Sequence, residues 1–112
     1  MNLVNHRIDL PSKTLTLTVP GDILSTNADQ LRQEIQRLLE SEAVHLAAWD
    51  VLKLDLKGAA MIDSVGLNLL VSLIKTARAR NARTVAVISS SNIQRSLVFT
   101  RLDTQMEVQL AA

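Results

Sequence analysis

Five consecutive residues, Thr84-Val85-Ala86-Val87-Ile88, carry no charge and are mostly β-branched. A run of that kind reads as a central strand covered on both faces, and strands of that kind belong to largely parallel sheets. Other segments alternate instead. From Thr14 to Val19, Leu15, Leu17 and Val19 face one way and Thr14, Thr16 and Thr18 the other; from Val51 to Leu56, Leu52, Leu54 and Leu56 oppose Lys53 and Asp55. Met106, Val108 and Leu110 repeat the pattern near the end. Residues 4–10 alternate as well, with Val4, Ile8 and Leu10 on one side and His6 joining them, and Pro11-Ser12-Lys13 then reads as a turn. Residues 4–19 are therefore expected to form a hairpin.

Between these strands the period changes to that of helices. After Pro20-Gly21, a start at Ser25-Thr26-Asn27 offers two capping boxes, Thr26 to Asp29 or Asn27 to Gln30. Ala28, Leu31, Ile35, Leu38 and Leu39 fall on one face of the helix that follows, which is expected to run to about Glu42. Residues 43–50 read as a connector with room for one helical turn. A second helix is expected from Ser64 to about Arg80, apolar around most of its circumference, and a third from the Ser89-Ser90-Ser91-Asn92 caps to about Thr100. The order β-β-α-β-α-β-α-β predicts an α/β fold over residues 1–112: one domain, with a mixed, largely parallel sheet, an N-terminal β-hairpin and helices packed against the sheet.

Composition removes several classes of function. The chain has no cysteine, so disulfide scaffolds and thiolate chemistry are excluded. Twelve Lys and Arg balance eleven Asp and Glu, and Trp49 and Phe99 are the only aromatic residues. Neither an electrostatic footprint for nucleic acid nor a base-stacking platform is expected. No apolar run approaches a membrane span and no signal pattern opens the chain, so the expectation is a small soluble cytoplasmic domain without membrane insertion. His6 and His45 are far apart and read as a strand-face and a connector residue rather than metal ligands. Gly21, Gly58 and Gly66 form no nucleotide-binding motif, and Ser64 is followed by no histidine that could act as its base. The chain is expected to be no enzyme and to need no cofactor.

One local feature carries chemistry. Met61-Ile62-Asp63-Ser64-Val65-Gly66-Leu67 sits where a strand-following loop meets a helix start. A helix start presents unpaired N–H groups and a partial positive charge, which stabilise a phosphate on a serine placed there. On this reading Gly66 leaves its N–H open to a phosphate or a partner, and Asp63 repels a second negative charge. The simpler reading makes Ser64 a helix cap and Gly66 a relief of crowding.

Leu54-Asp55-Leu56-Lys57-Gly58 followed by Met61 to Leu67 resembles the strand, loop and Asp-Ser/Thr-Ser/Thr-Gly-Leu motif of the STAS domain family, specifically its free-standing bacterial anti-sigma factor antagonists. Val19-Pro20-Gly21-Asp22-Ile23 is similar to the family's Gly-Glu-hydrophobic-Asp segment, and weaker likenesses cover Arg78 to Ile88 and Ile93-Gln94-Arg95-Ser96-Leu97. The resemblance implies that Ser64 is a phosphoacceptor within a motif of Asp63, Gly66 and Leu67, and that Asp22, Ile23 and Leu67 contribute to partner binding. It implies two partners, an anti-sigma factor with serine kinase activity and a serine phosphatase. Unphosphorylated, such a protein binds the anti-sigma factor and frees a sigma factor for transcription; phosphorylation breaks the complex.

Three departures accompany the likeness. Val65 replaces the motif's second hydroxyl residue, Leu24 stands where the family has its second acidic residue, and the family's final helix does not follow Leu110 within the sequence. Val65 leaves the acceptor intact and alters its neighbour, whereas the other two favour an alternative, a non-switched STAS module serving as an accessory subunit of a transport complex or as a signalling scaffold. An unrelated catalytic domain would have to build its site from Asp22, Asp63, Ser64 and His6, which form no recognisable catalytic set.

Overall fold

Threonine–leucine alternation at Thr14–Thr18 gives β2 one apolar face, and β1 (Asn5–Asp9) folds back on it antiparallel in the register Arg7 to Thr16. The turn between them places Lys13 at φ 52° and ties the Asp9 carboxylate to Ser12. The computed structural model describes residues 3–111. Among these, α1 (Ala28–Glu40), α2 (Glu42–His45), β3 (Val51–Leu56), α3 (Ser64–Ala79), β4 (Arg83–Ile88), α4 (Ser91–Phe99) and β5 (Glu107–Leu110) follow, with a 3-10 turn at Leu102–Thr104 before β5. The five strands lie side by side in chain order, and every pairing after the hairpin is parallel. Each parallel step needs a crossover, which the helical segments between the strands supply.

One apolar cluster holds the layers together. Leu15, Leu17, Leu52, Leu54, Leu56, Ala86 and Ile88 point from the sheet into it; Ala28, Leu31 and Ile35 meet them from α1, Leu69, Leu70 and Ile74 from α3, and Ile93 and Leu97 from α4. Among the described residues, the other face of the sheet carries no helix. Its rows run Arg7, Thr16, Lys53, Val85, Glu107 and Asn5, Thr18, Asp55, Val87, Gln109. This corrects the expectation of a doubly covered β4. Val85 and Val87 are buried but stand outside the core cluster, shielded by the long polar side chains beside them in the sheet.

Smaller corrections concern helix ends. α1 stops at Glu40 because Ser41 is extended (ψ 144°), and the next turn is the separate α2. Neither proposed capping box forms at its start. The Asn27 carboxamide is engaged instead with Leu24 N–H (2.9 Å) and the Asp22 carbonyl (2.8 Å). Leu10 belongs to the hairpin turn and is exposed rather than packed.

Candidate functional site

Two loops meet at the carboxyl ends of the central strands, residues 19–27 after β2 and 57–63 after β3. Their backbones touch. Ile23 N–H donates to the Met61 carbonyl and Asp63 N–H to the Ile23 carbonyl, both at 3.2 Å, forming a parallel bridge between Ile23 and Ile62. Glycine is required where the approach is closest. A Cβ on Gly58 would stand 2.5 Å from the Pro20 carbonyl oxygen, and one on Gly66 2.3 Å from that of Ile23. The family-like glycines thus let two backbones pack together.

An aspartate from each loop then reaches into the other. Asp22 Oδ1 accepts from Ala60 N–H (2.7 Å) and Met61 N–H (3.0 Å). In return, Asp63 Oδ2 accepts from Ser25 N–H (2.7 Å), while its Oδ1 accepts from Gly66 N–H (2.9 Å) and caps α3. These amides, Gly66 first and Ser25 second, hold the Asp63 carboxyl below its ordinary value. From the far side, Ser89 Oγ donates to the Lys57 carbonyl (2.7 Å) and Ser90 Oγ to that of Ala60 (2.8 Å). The loop before α3 is therefore fixed on both flanks.

Ser64 stands exposed at the first position of α3, beside this lock rather than in it. Asp63 takes the cap, so the reading of Ser64 as the helix cap is corrected. Among the described residues the Ser64 hydroxyl makes no hydrogen bond. Gly66 is corrected too: its N–H is occupied by Asp63 rather than open, and the residue itself is buried. Ile23 is 1% exposed and therefore contributes to the site as a packing residue, not as a surface contact. Leu67 is half-buried at the edge of an open groove beside α4. No hydrogen bond joins His6 to Asp63 or Ser64 among the described residues; His6 lies on β1 opposite Leu17. Sequence reasoning missed Asn27, Ser89 and Ser90 as supports and Val98 and Phe99 as surface. Only the Asx-turn habit of Asn27 was locally legible.

The STAS domain profile matches residues 5–111. The chain belongs to the STAS domain family. No curated protein sequence matches it significantly. Among solved structures, this STAS domain is similar to a Thermotoga maritima protein assigned as an anti-sigma factor antagonist, at 16% identity and TM-score 0.76 over 97% of this chain and 86% of that one. It is similar as well to the anti-sigma factor antagonist SpoIIAA in its unphosphorylated form, at 16% identity and TM-score 0.71 over 97% and 88% of the two chains. The phosphorylated form of SpoIIAA, a Bacillus cell fate determinant, gives a TM-score of 0.66 at 16% identity over 97% and 91%. SLC26A9 shares the fold at 16% identity and TM-score 0.67, over 88% of this chain but 18% of that one. At these identities the likeness is one of fold. No helix among the described residues of the STAS domain is long and apolar enough to cross a membrane.

Proposed function

We propose that this STAS domain is a cytoplasmic anti-sigma factor antagonist whose docking surface includes the start of α3, and that phosphorylation of Ser64 releases its partner. The observation that carries this reading is the unencumbered, exposed Ser64 hydroxyl on a helix start held rigid by Asp63. The anti-sigma factor, acting as a serine kinase, would transfer the γ-phosphoryl group of ATP to Ser64 Oγ, with loss of the hydroxyl proton and departure of ADP. A serine phosphatase would return the hydroxyl by hydrolysis. The added charge of about −2 sits beside the Asp63 carboxylate, whose amide donors are already taken, so it burdens any contact surface there with repulsion and desolvation.

The test is capture of bound proteins from native lysate on wild type, Ser64→Asp and Ser64→Ala, with mass spectrometry of the partners and of Ser64. Wild type and Ser64→Ala should retain an ATP-binding anti-sigma kinase, Ser64→Asp should lose it, and part of the native Ser64 should carry phosphate. The same partners on all three proteins, with Ser64 unmodified, would sink the switch. That outcome would favour the second reading, a STAS module fixed in a transport complex or scaffold. Supporting it are Leu24 at a motif position and the occurrence of the fold as 18% of the much larger SLC26A9 chain.

A further inference from the structure

We infer that the outer faces of α3 and α4 form a docking groove for an acidic, amphipathic segment of a partner protein. This deepens the proposed function and rests on it in one respect, that partners dock beside Ser64. An open groove of about 610 Å³ separates Leu67, in the first turn of α3, from Gln94, Arg95, Val98 and Phe99 of α4 and Thr100 just after it. Its apolar walls are unusually exposed. Phe99 is 90% and Val98 56% accessible. Side chains so placed are anchor positions for a partner's apolar face.

Charge decides what kind of partner. From Ser64 to Leu102 the chain has Lys75, Arg78, Arg80, Arg83, Arg95 and Arg101 and no Asp or Glu. Arg80 is committed to Trp49 and its neighbouring carbonyls, and Arg83 pairs with Glu107. The other four form no ion pair among the described residues. Arg95 lines the groove itself. Arg78 lies three turns along α3 from Leu67 and lines a separate cavity with Glu107, so the groove's own charge is that of Arg95. An apolar groove whose one charged lining residue is an arginine free of any ion pair among the described residues selects apolar anchors accompanied by a carboxylate. A second copy of the chain fits poorly, because a twofold contact centred on the groove would bring two unpaired Arg95 side chains together. Nucleic acid fits poorly as well, since the groove floor is aliphatic and aromatic rather than polar. The arrangement also gives the switch a physical partner. Ser64 lies one turn from Leu67, so a phosphate there would stand at the mouth of the groove and repel the acidic segment.

The experiment titrates ¹⁵N-labelled protein with two synthetic helical peptides of one length that share a leucine stripe, one with Glu and the other with Lys at the remaining positions. The Glu peptide should shift the amides of Leu67, Val71 and residues 95–100. It should bind about tenfold or more weakly when salt rises from about 0.05 to about 0.5 M. The Lys peptide should not bind. Phe99→Ala and Arg95→Glu should each weaken the Glu peptide about tenfold or more, with unchanged melting temperatures because both side chains are exposed. Equal binding of the two peptides, shifts elsewhere on the surface, displacement by an oligonucleotide, or self-association through Phe99 in sedimentation would each overturn the inference. Its failure is separable from that of the proposed function. Loss of the kinase on Ser64→Asp without Glu-peptide binding removes the groove alone. Glu-peptide binding at the groove with no kinase captured removes the proposed function alone.

Discussion

Asp63 links three things with one carboxylate: the Ser25 loop, the first turn of α3 and the charge environment of Ser64. Its folded-state pKa lies below the ordinary 3.8, so the ionised form favours the fold. That contribution is complete above the unfolded pKa and drains away as the pH falls through the folded one. Asp63→Asn should therefore lower the melting temperature near neutral pH, and the gap to wild type should narrow below about pH 4, followed by circular dichroism across an acid series. Gly66 is a different kind of determinant. Gly66→Ala forces a Cβ to 2.3 Å from the Ile23 carbonyl oxygen and 2.7 Å from Ile62 Cγ1. The gain in helix propensity does not offset that collision, and a net loss of about 1–3 kcal/mol is expected in urea titration. Both residues stand out in the sequence, but their partners do not. Asp and Ser are equally good caps, so local chemistry does not separate residue 63 from 64, and the reading of Ser64 as the cap of α3 falls one residue late. The donors to Asp63 and Asp22 lie up to 39 residues away, where no spacing rule reaches.

At the scale of elements, the end of α3 is fastened as firmly as its start. Arg80 lies 3.6 Å from the centroid of the Trp49 ring and donates to the carbonyls of His45, Ala47 and Trp49, while the indole N–H reaches the Val44 carbonyl at 2.8 Å. One guanidinium fork thereby pins the connector between α2 and β3 to α3. Arg80→Lys keeps the charge but loses the fork and the stacked plane, and should cost about 1–2 kcal/mol in chemical denaturation. Elements with strong periodicity were legible from residues alone. β3 spans Val51–Leu56 as its Leu alternation implies, and α3 begins at Ser64. The start of α4 was narrowed to a serine run, and Ser90 takes the cap by accepting from Ile93 N–H at 3.3 Å. The break at Ser41 was hidden, because the apolar stripe of α1 continues almost without interruption into α2.

Across the whole molecule, a single layer of helices leaves one sheet face to water. Neighbouring residues on β4 should then respond very differently to the same change. Val87→Thr places its hydroxyl between Asp55 and Gln109 and should cost about 1 kcal/mol or less. Ile88→Thr, at 0% exposure in the core, should cost about 3 kcal/mol or more. Equal costs would mean that the outer face is packed in solution. The β-branched run at 84–88 identified the strand correctly but not its covering. Continuous burial arises as readily from long polar neighbours as from a second helical layer, and a one-dimensional pattern does not separate the two.

The exchanged aspartates have one more consequence. The amides of Ser25, Ala60, Met61 and Gly66 are held by carboxylates rather than by ordinary ladder partners, although three of the four lie in loops. In deuterated water they should be shielded like interior amides, and they should lose that shielding together, since opening either loop frees donors in both. Their common exchange rate would report how often the platform beneath Ser64 comes undone, and Asp22→Ala should raise it at Ser25, a residue that Asp22 does not touch. The clock would run without any partner present.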